Sequence, residues 1–214
     1  MSASPFPARR LPVLVVLLLL AAPAPAAGTA WAEEIDAFYE DRLAELFVWF
    51  HRHPELSFLE HRTAARLAGE LRRLGVDVTE GIGGTGLVGV IENGDGPTLL
   101  IRADMDGLPV KEASGLPYAS TATQVNREGR EVPVMHACGH DVHVTSLVGT
   151  AKMLLDHRDR WRGRVLLVGQ PAEERIGGAR AMLEDGLYER FGVPDHAIGF
   201  HVYSDGPAGR IAVA

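Results

Sequence analysis

Beyond residue 33 the chain alternates between two hydrophobic periods, and this alternation restricts the folds open to it more than any other feature. Two short runs, Thr98–Ala103 (TLLIRA) and Arg164–Gly169 (RVLLVG), are largely apolar. Successive strand residues point to opposite faces, so a strand apolar on both must be covered on both. Gly86–Ile91 (GLVGVI) and His196–Val202 read as further strands, and the turn Asn93–Pro97 separates the first of these from Thr98. Between strands the period changes. From Glu33 to Phe50 the residues Ile35, Phe38, Leu43, Leu46, Phe47 and Phe50 fall on one helical face, and His53-Pro54 ends that segment. Helices are also predicted over Leu59–Leu74, stopped at Gly75, over His143–His157 and over Ala179–Leu187. The pattern predicts an α/β fold, a layered mixed sheet with helices on both faces, built as one domain over residues 33–214. Gly209–Ala214 reads as the start of another strand.

A chain of 214 residues, 46% apolar and 23% charged, can bury a core. The net charge of -7 and the lack of a Lys/Arg block remove the footprint of a nucleic-acid binder. The first residues differ in kind. Arg9-Arg10 precede an apolar run, Leu11–Ala22, which passes into an Ala/Pro segment ending at Ala32. Residues 1–32 therefore read as a signal peptide, and the mature chain is expected to be exported, periplasmic or secreted. The apolar run has about twelve residues where a spanning helix needs roughly twenty, so no stable membrane span is expected. Loss of this leader removes two positive charges and takes the net charge from -7 to -9. Cys138 is the only cysteine, which leaves an inert thiol, a reactive one, a link to another chain, or a metal thiolate.

The stretch Met135–His143 (MHACGHDVH) holds that cysteine with three histidines and an aspartate. In an extended segment Cys138 and His140 project from one face and can reach a single cation, and thiolate with imidazole suits zinc or the later first-row ions. Alone, this spacing fits a buried cysteine beside solvated histidines better than it fits a metal site. Three more segments place ligand types at strand ends. Glu173 and Glu174 follow Arg164–Gly169, and neighbours that point apart let one carboxylate bind metal while the other takes a proton from water. His201 closes an apolar run, and Asp104 and Asp106 stand where Thr98–Ala103 finishes. Gly84–Gly89 matches GxGxxG, but a strand and a turn follow it instead of a helix, so no dinucleotide site is predicted.

Taken together, Arg102–Pro109 (RADMDGLP), His136–Asp141 (HACGHD), Gly169–Glu174 (GQPAEE) and Gly199–Val202 (GFHV) resemble the successive motifs of the M20 metallopeptidase family. Within it they are most similar to the aminoacylase/hippurate-hydrolase-like amidohydrolases, including the indole-acetyl-amino-acid hydrolases. His51–Phe58 (HRHPELSF) matches the family's N-terminal helix-loop, and the resemblance runs in order through residues 36–214. It implies a zinc-peptidase-like catalytic domain that uses two divalent ions, zinc or manganese, with cobalt or nickel also suitable. Cys138, His140, Glu174 and His201 would be ligands and Glu173 the general base. Asp104, Asp106, Asp141 and His143 would orient the histidine ligands. The substrate would be an N-acyl amino acid or similar small amide. Family members continue into a lid and dimerisation domain and then supply one more histidine ligand, so the chain is expected to be the N-terminal part of a homodimeric parent and inactive alone. A dipeptidase, a non-catalytic metal-binding remnant and a Cys138 nucleophile with His136, His140 or His143 as base are the competing readings.

Overall fold

A computed structural model describes residues 27–207 and 209–213. The expected leader lies mostly outside the described residues; helix α1 (Ala27–Phe38) starts within its last part. The single helix predicted from Glu33 to Phe50 is α1, a π-helical turn at Tyr39–Leu43, and α2 (Ala44–Arg52). The turn has a cause in the sequence. Phe38 and Leu43 are five residues apart, and an i→i+5 turn, closed by the Ala44 N–H on the Tyr39 carbonyl, absorbs that interval while Leu43 stays buried.

Helix α3 (His61–Arg73) ends before Gly75, whose φ of +87° suits the left-handed stop predicted there. Strands β1 (Asp77–Ile82), β2 (Gly86–Asn93) and β3 (Thr98–Asp104) follow, then a two-stranded hairpin, β4 (Thr123–Val125) with β5 (Glu131–Pro133). Helix α4 (His140–Asp156), strand β6 (Gly163–Gln170), helices α5 (Gly178–Glu184) and α6 (Leu187–Phe191) and strand β7 (His196–Gly199) complete the order. Residues 209–213 form no strand, contrary to the reading of Gly209–Ala214. Among the described residues, no helix is long and apolar enough to cross a membrane.

The sheet is mixed, in the order β1-β2-β6-β3-β7. β1 and β2 pair antiparallel, as do β2 and β6, whereas β6, β3 and β7 run parallel. β6 shows how the layers arise. Its Val165 and Leu167 join a core with Leu46, Phe50, Leu67 and Leu147 from α2, α3 and α4. Its Leu166 and Val168 face the other way, onto Met182, Leu187 and Phe191 from α5 and α6. Leu166 and Leu167 are fully buried, each stabilising the fold by about 1.5–3 kcal/mol relative to exposure. Helices thus cover both faces, as the doubly apolar strands predicted.

Candidate metal centre

Because β3, β6 and β7 are parallel, their carboxyl ends lie along one edge of the sheet, where open α/β sheets gather their sites. Asp104 ends β3, Glu173 and Glu174 follow β6, and His201 lies just past β7. The fourth contribution comes from the start of α4. Here the extended geometry expected for Cys138 and His140 is replaced by a turn into the helix, which begins at His140 and not at His143. Gly139 makes that turn with φ of +82°, and a Cβ there would meet Val202 Cγ2 at 2.3 Å. A glycine is needed both for the backbone angle and for the close approach of the chain after β7.

The four segments converge. One atom each from Cys138, His140 and Glu174 lies within 4.8 Å of the others, and the same holds for Asp104, His140, His143 and His201. His140 is fully buried. Its Nδ1 donates to the Asp106 carbonyl at 2.8 Å, so in the neutral ring the Nε2 lone pair faces the site. Nε2 lies 3.5 Å from Asp104 Oδ2, 3.8 Å from Glu173 Oε2 and 3.9 Å from Glu174 Oε1. His201 Nδ1 donates to the Val202 carbonyl at 2.6 Å, which turns Nε2 toward Cys138 Sγ, 3.4 Å away.

His143 is differently placed. Its Nδ1 meets Asp104 Oδ1 at 2.5 Å and its Nε2 accepts the Val202 N–H at 3.0 Å, so both ring nitrogens are engaged. It braces the backbone beside His201 and has no lone pair left for a cation. Asp106 accepts the Ser57 hydroxyl at 2.6 Å and the backbone N–H groups of Glu173 and Glu174 at 3.1 Å each, and its Oδ1 lies 3.3 Å from His140 Nδ1. Asp141 turns away from the cluster, to His51 Nδ1 at 2.7 Å.

The electrostatics point in one direction. Burial, then the charge and hydrogen bond of Glu174 and the charges of Glu173 and Asp104, push the Cys138 thiol up to about 11. Burial opposes charge on His140, yet the Asp106 hydrogen bond and the charges of Asp104 and Asp106 hold it above its ordinary value. Burial, with the neighbouring Asp106 and Glu173 charges, raises Glu174. Burial leads the shifts at Cys138 and Glu174, and neighbouring carboxylates add to all three. Among the described residues, two buried atoms there, His140 Nε2 and Glu174 Oε1, have no hydrogen-bond partner, an arrangement costly unless something positive satisfies it. A thiol, an imidazole and a carboxylate with these orphaned atoms fit a divalent cation of the zinc type. The same raised thiol is a poor nucleophile, which counts against a cysteine-based reaction.

Ser57 and Glu60 were not singled out by sequence as parts of the site, and His136 entered only as a possible base for a Cys138 nucleophile. His136 is buried with both ring nitrogens unpartnered. A cavity of about 480 Å³ opens beside Glu174, lined in part by Leu56, Ser57, Leu108 and Arg175. A larger apolar groove of about 830 Å³ between α1 and α4 touches none of the candidate ligands.

The chain is similar in sequence and fold to known proteins. The chain is 45% identical over 152 residues to the hippurate hydrolase of Campylobacter jejuni, covering 71% of this chain and 37% of that protein. It is 41% identical over 177 residues to thermostable carboxypeptidase 2 of Saccharolobus solfataricus, covering 81% and 42%. It therefore spans about two fifths of the length of these curated relatives. Among solved structures, the YXEP protein of Bacillus subtilis, described as a dinuclear metal binding peptidase from the M20 family, superposes with a TM-score of 0.71 at 37% identity, over 81% of this chain and 46% of that one. The model of peptidase family M20/M25/M40 matches residues 100–214, the part that carries β3, α4, β6 and the candidate ligands. More than half the chain thus matches that model, and the chain belongs to peptidase family M20/M25/M40.

Proposed function

We propose that the protein is a metal-dependent amidohydrolase that cleaves N-acyl amino acids or similar small amides, with two divalent ions held at the sheet edge. The observation that supports this most is the convergence of Cys138, His140 and Glu174, with His140 Nε2 and Glu174 Oε1 buried and unpartnered. These three residues would hold one ion. His201, whose Nε2 lies 3.4 Å from Cys138 Sγ, would help to hold a second. Bound cations of this type polarise an amide carbonyl and make water more acidic.

The remaining chemistry belongs to the chain. Glu173 is half-exposed beside His140, so it meets both solvent and the site. It takes a proton from the attacking water and returns it to the leaving nitrogen. Asp106 fixes the backbone under both glutamates, and His143 with Asp104 fixes the chain at His201. The cavity beside Glu174 receives the substrate. A name such as hippurate hydrolase, borne by a relative, supports an N-acyl amino acid over a dipeptide.

Glu173→Gln keeps the size of the side chain and removes the base. In the complete protein it should retain its metal while kcat on N-benzoyl or N-acetyl amino acids falls by about 10²–10⁴-fold. Unchanged turnover in Glu173→Gln would overturn the assignment of the base, and preference for dipeptides over N-acyl amino acids would overturn the substrate class.

A further inference from the structure

Glu60 immediately precedes α3 and is completely buried, with no cationic partner within hydrogen-bond reach among the described residues. Its Oε1 accepts the N–H of Phe58 at 2.9 Å and the N–H of Ala172 at 2.8 Å, and its Oε2 accepts the Thr85 hydroxyl. Ala172 opens the segment that carries Glu173 and Glu174. Its φ is +47°, and among the described residues the only other non-glycine positive φ values are at Phe58 (+63°) and Ile176 (+53°). Side chains with a Cβ rarely adopt this conformation unless their surroundings impose it. Here two of the three residues donate their N–H to the same carboxylate oxygen of Glu60, and the third lies in the same turn, its N–H on the Glu173 carbonyl at 2.7 Å.

The hold continues along the backbone. The N–H of Ala172 goes to Glu60, that of Glu173 to Asp106 Oδ1 and that of Glu174 to Asp106 Oδ2. Three successive amides are thus gripped by two buried carboxylates, one on each side. From the far end, Gly177 and Gly178 donate to the Ala172 carbonyl at 3.3 and 3.2 Å.

We propose that Glu60 is a positioning residue for the metal site: it imposes the left-handed turn at Ala172, and that turn aims Glu174 at Cys138 and His140. It touches neither ion nor substrate. The role at the metal rests on the function proposed above, whereas the hold on the loop does not.

Glu60→Ala removes both acceptor oxygens. Glu60→Gln keeps one oxygen for Phe58 and Ala172 and offers an amide hydrogen to Thr85, so it should rescue. Glu70→Ala, which removes a buried carboxylate paired with Arg42, Arg66 and Arg73, controls for general loss of stability. Amide hydrogen exchange in the metal-free protein and cobalt affinity by chelator competition are read for each. Glu60→Ala should speed exchange at Ala172–Glu174 by about tenfold or more and weaken cobalt binding by about 10–100-fold. Glu60→Gln should stay near wild type in both and Glu70→Ala should move neither. Glu60→Asp, one methylene shorter, takes the place of alanine if alanine prevents folding. Faster exchange with unchanged cobalt affinity, no change in either, or an equal loss in Glu70→Ala each overturns the proposal. If the wild type takes up no cobalt, the metal reading fails, and exchange alone then decides whether Glu60 holds the loop.

Discussion

Lowering the pH of the metal-free protein should weaken its fold through His136. Burial pushes this imidazole down to about 4, with the charges of His140 and His51 lowering it further and those of Asp141 and Asp106 opposing. In the unfolded chain it titrates near 6.5. Above that value the ring is neutral in both states and its titration contributes nothing. As pH falls, the unfolded chain takes up a proton that the folded chain refuses, so stability declines from about 6.5 and the loss is complete only below about 4. The full window corresponds to roughly 3 kcal/mol, and the step from pH 7 to pH 5 to about 2 kcal/mol. Asp104 and Asp106, whose pKa values are lowered, lose their contributions at lower pH, beneath the ordinary carboxylate value; His140 and His51, both held above the ordinary imidazole value by neighbouring carboxylates, take up protons in the folded chain near the top of the same step and oppose the loss, so the difference from a His136 variant isolates this imidazole. Urea unfolding at pH 7, 6 and 5 in the presence of a chelator measures the loss. His136→Leu, which puts an apolar side chain where two ring nitrogens lack partners, should show a shallower decline by about 2 kcal/mol over the same step. Parallel declines in the two proteins would show that His136 is neither buried nor held neutral.

Gly139→Ala puts a Cβ at a φ of +82° and 2.3 Å from Val202 Cγ2; it should cost about 1–3 kcal/mol in urea unfolding and weaken metal binding together. A substitution that changed neither would contradict the turn assigned to Cys138–His140. Leu167→Ala, in the core between the sheet and α2–α4, should destabilise the protein by about 2–5 kcal/mol without altering the metal:protein ratio of the folded fraction.

The central architecture was legible because burial writes itself directly into the chain: TLLIRA and RVLLVG are apolar at successive positions, and both became inner strands. β1 was not legible, since only Val78 and Ile82 of its six residues are buried and no alternation survives. The β4–β5 hairpin hid in a polar stretch for the same reason. The candidate ligands were legible by residue type at strand ends, but their geometry was not. A left-handed glycine and an earlier helix start, not an extended segment, bring Cys138 and His140 together. Glu60 left no signal, because its role depends on Ala172, distant in sequence, and on backbone angles that no residue type announces.

Whether Cys138 binds metal is the point on which the functional reading turns. X-ray absorption at the zinc edge of the zinc-loaded protein measures it without reference to activity. A sulfur scatterer at about 2.3 Å beside nitrogen or oxygen at about 2.0–2.2 Å is expected, with the sulfur lost in Cys138→Ser. A shell of nitrogen and oxygen alone in the wild type would contradict the site.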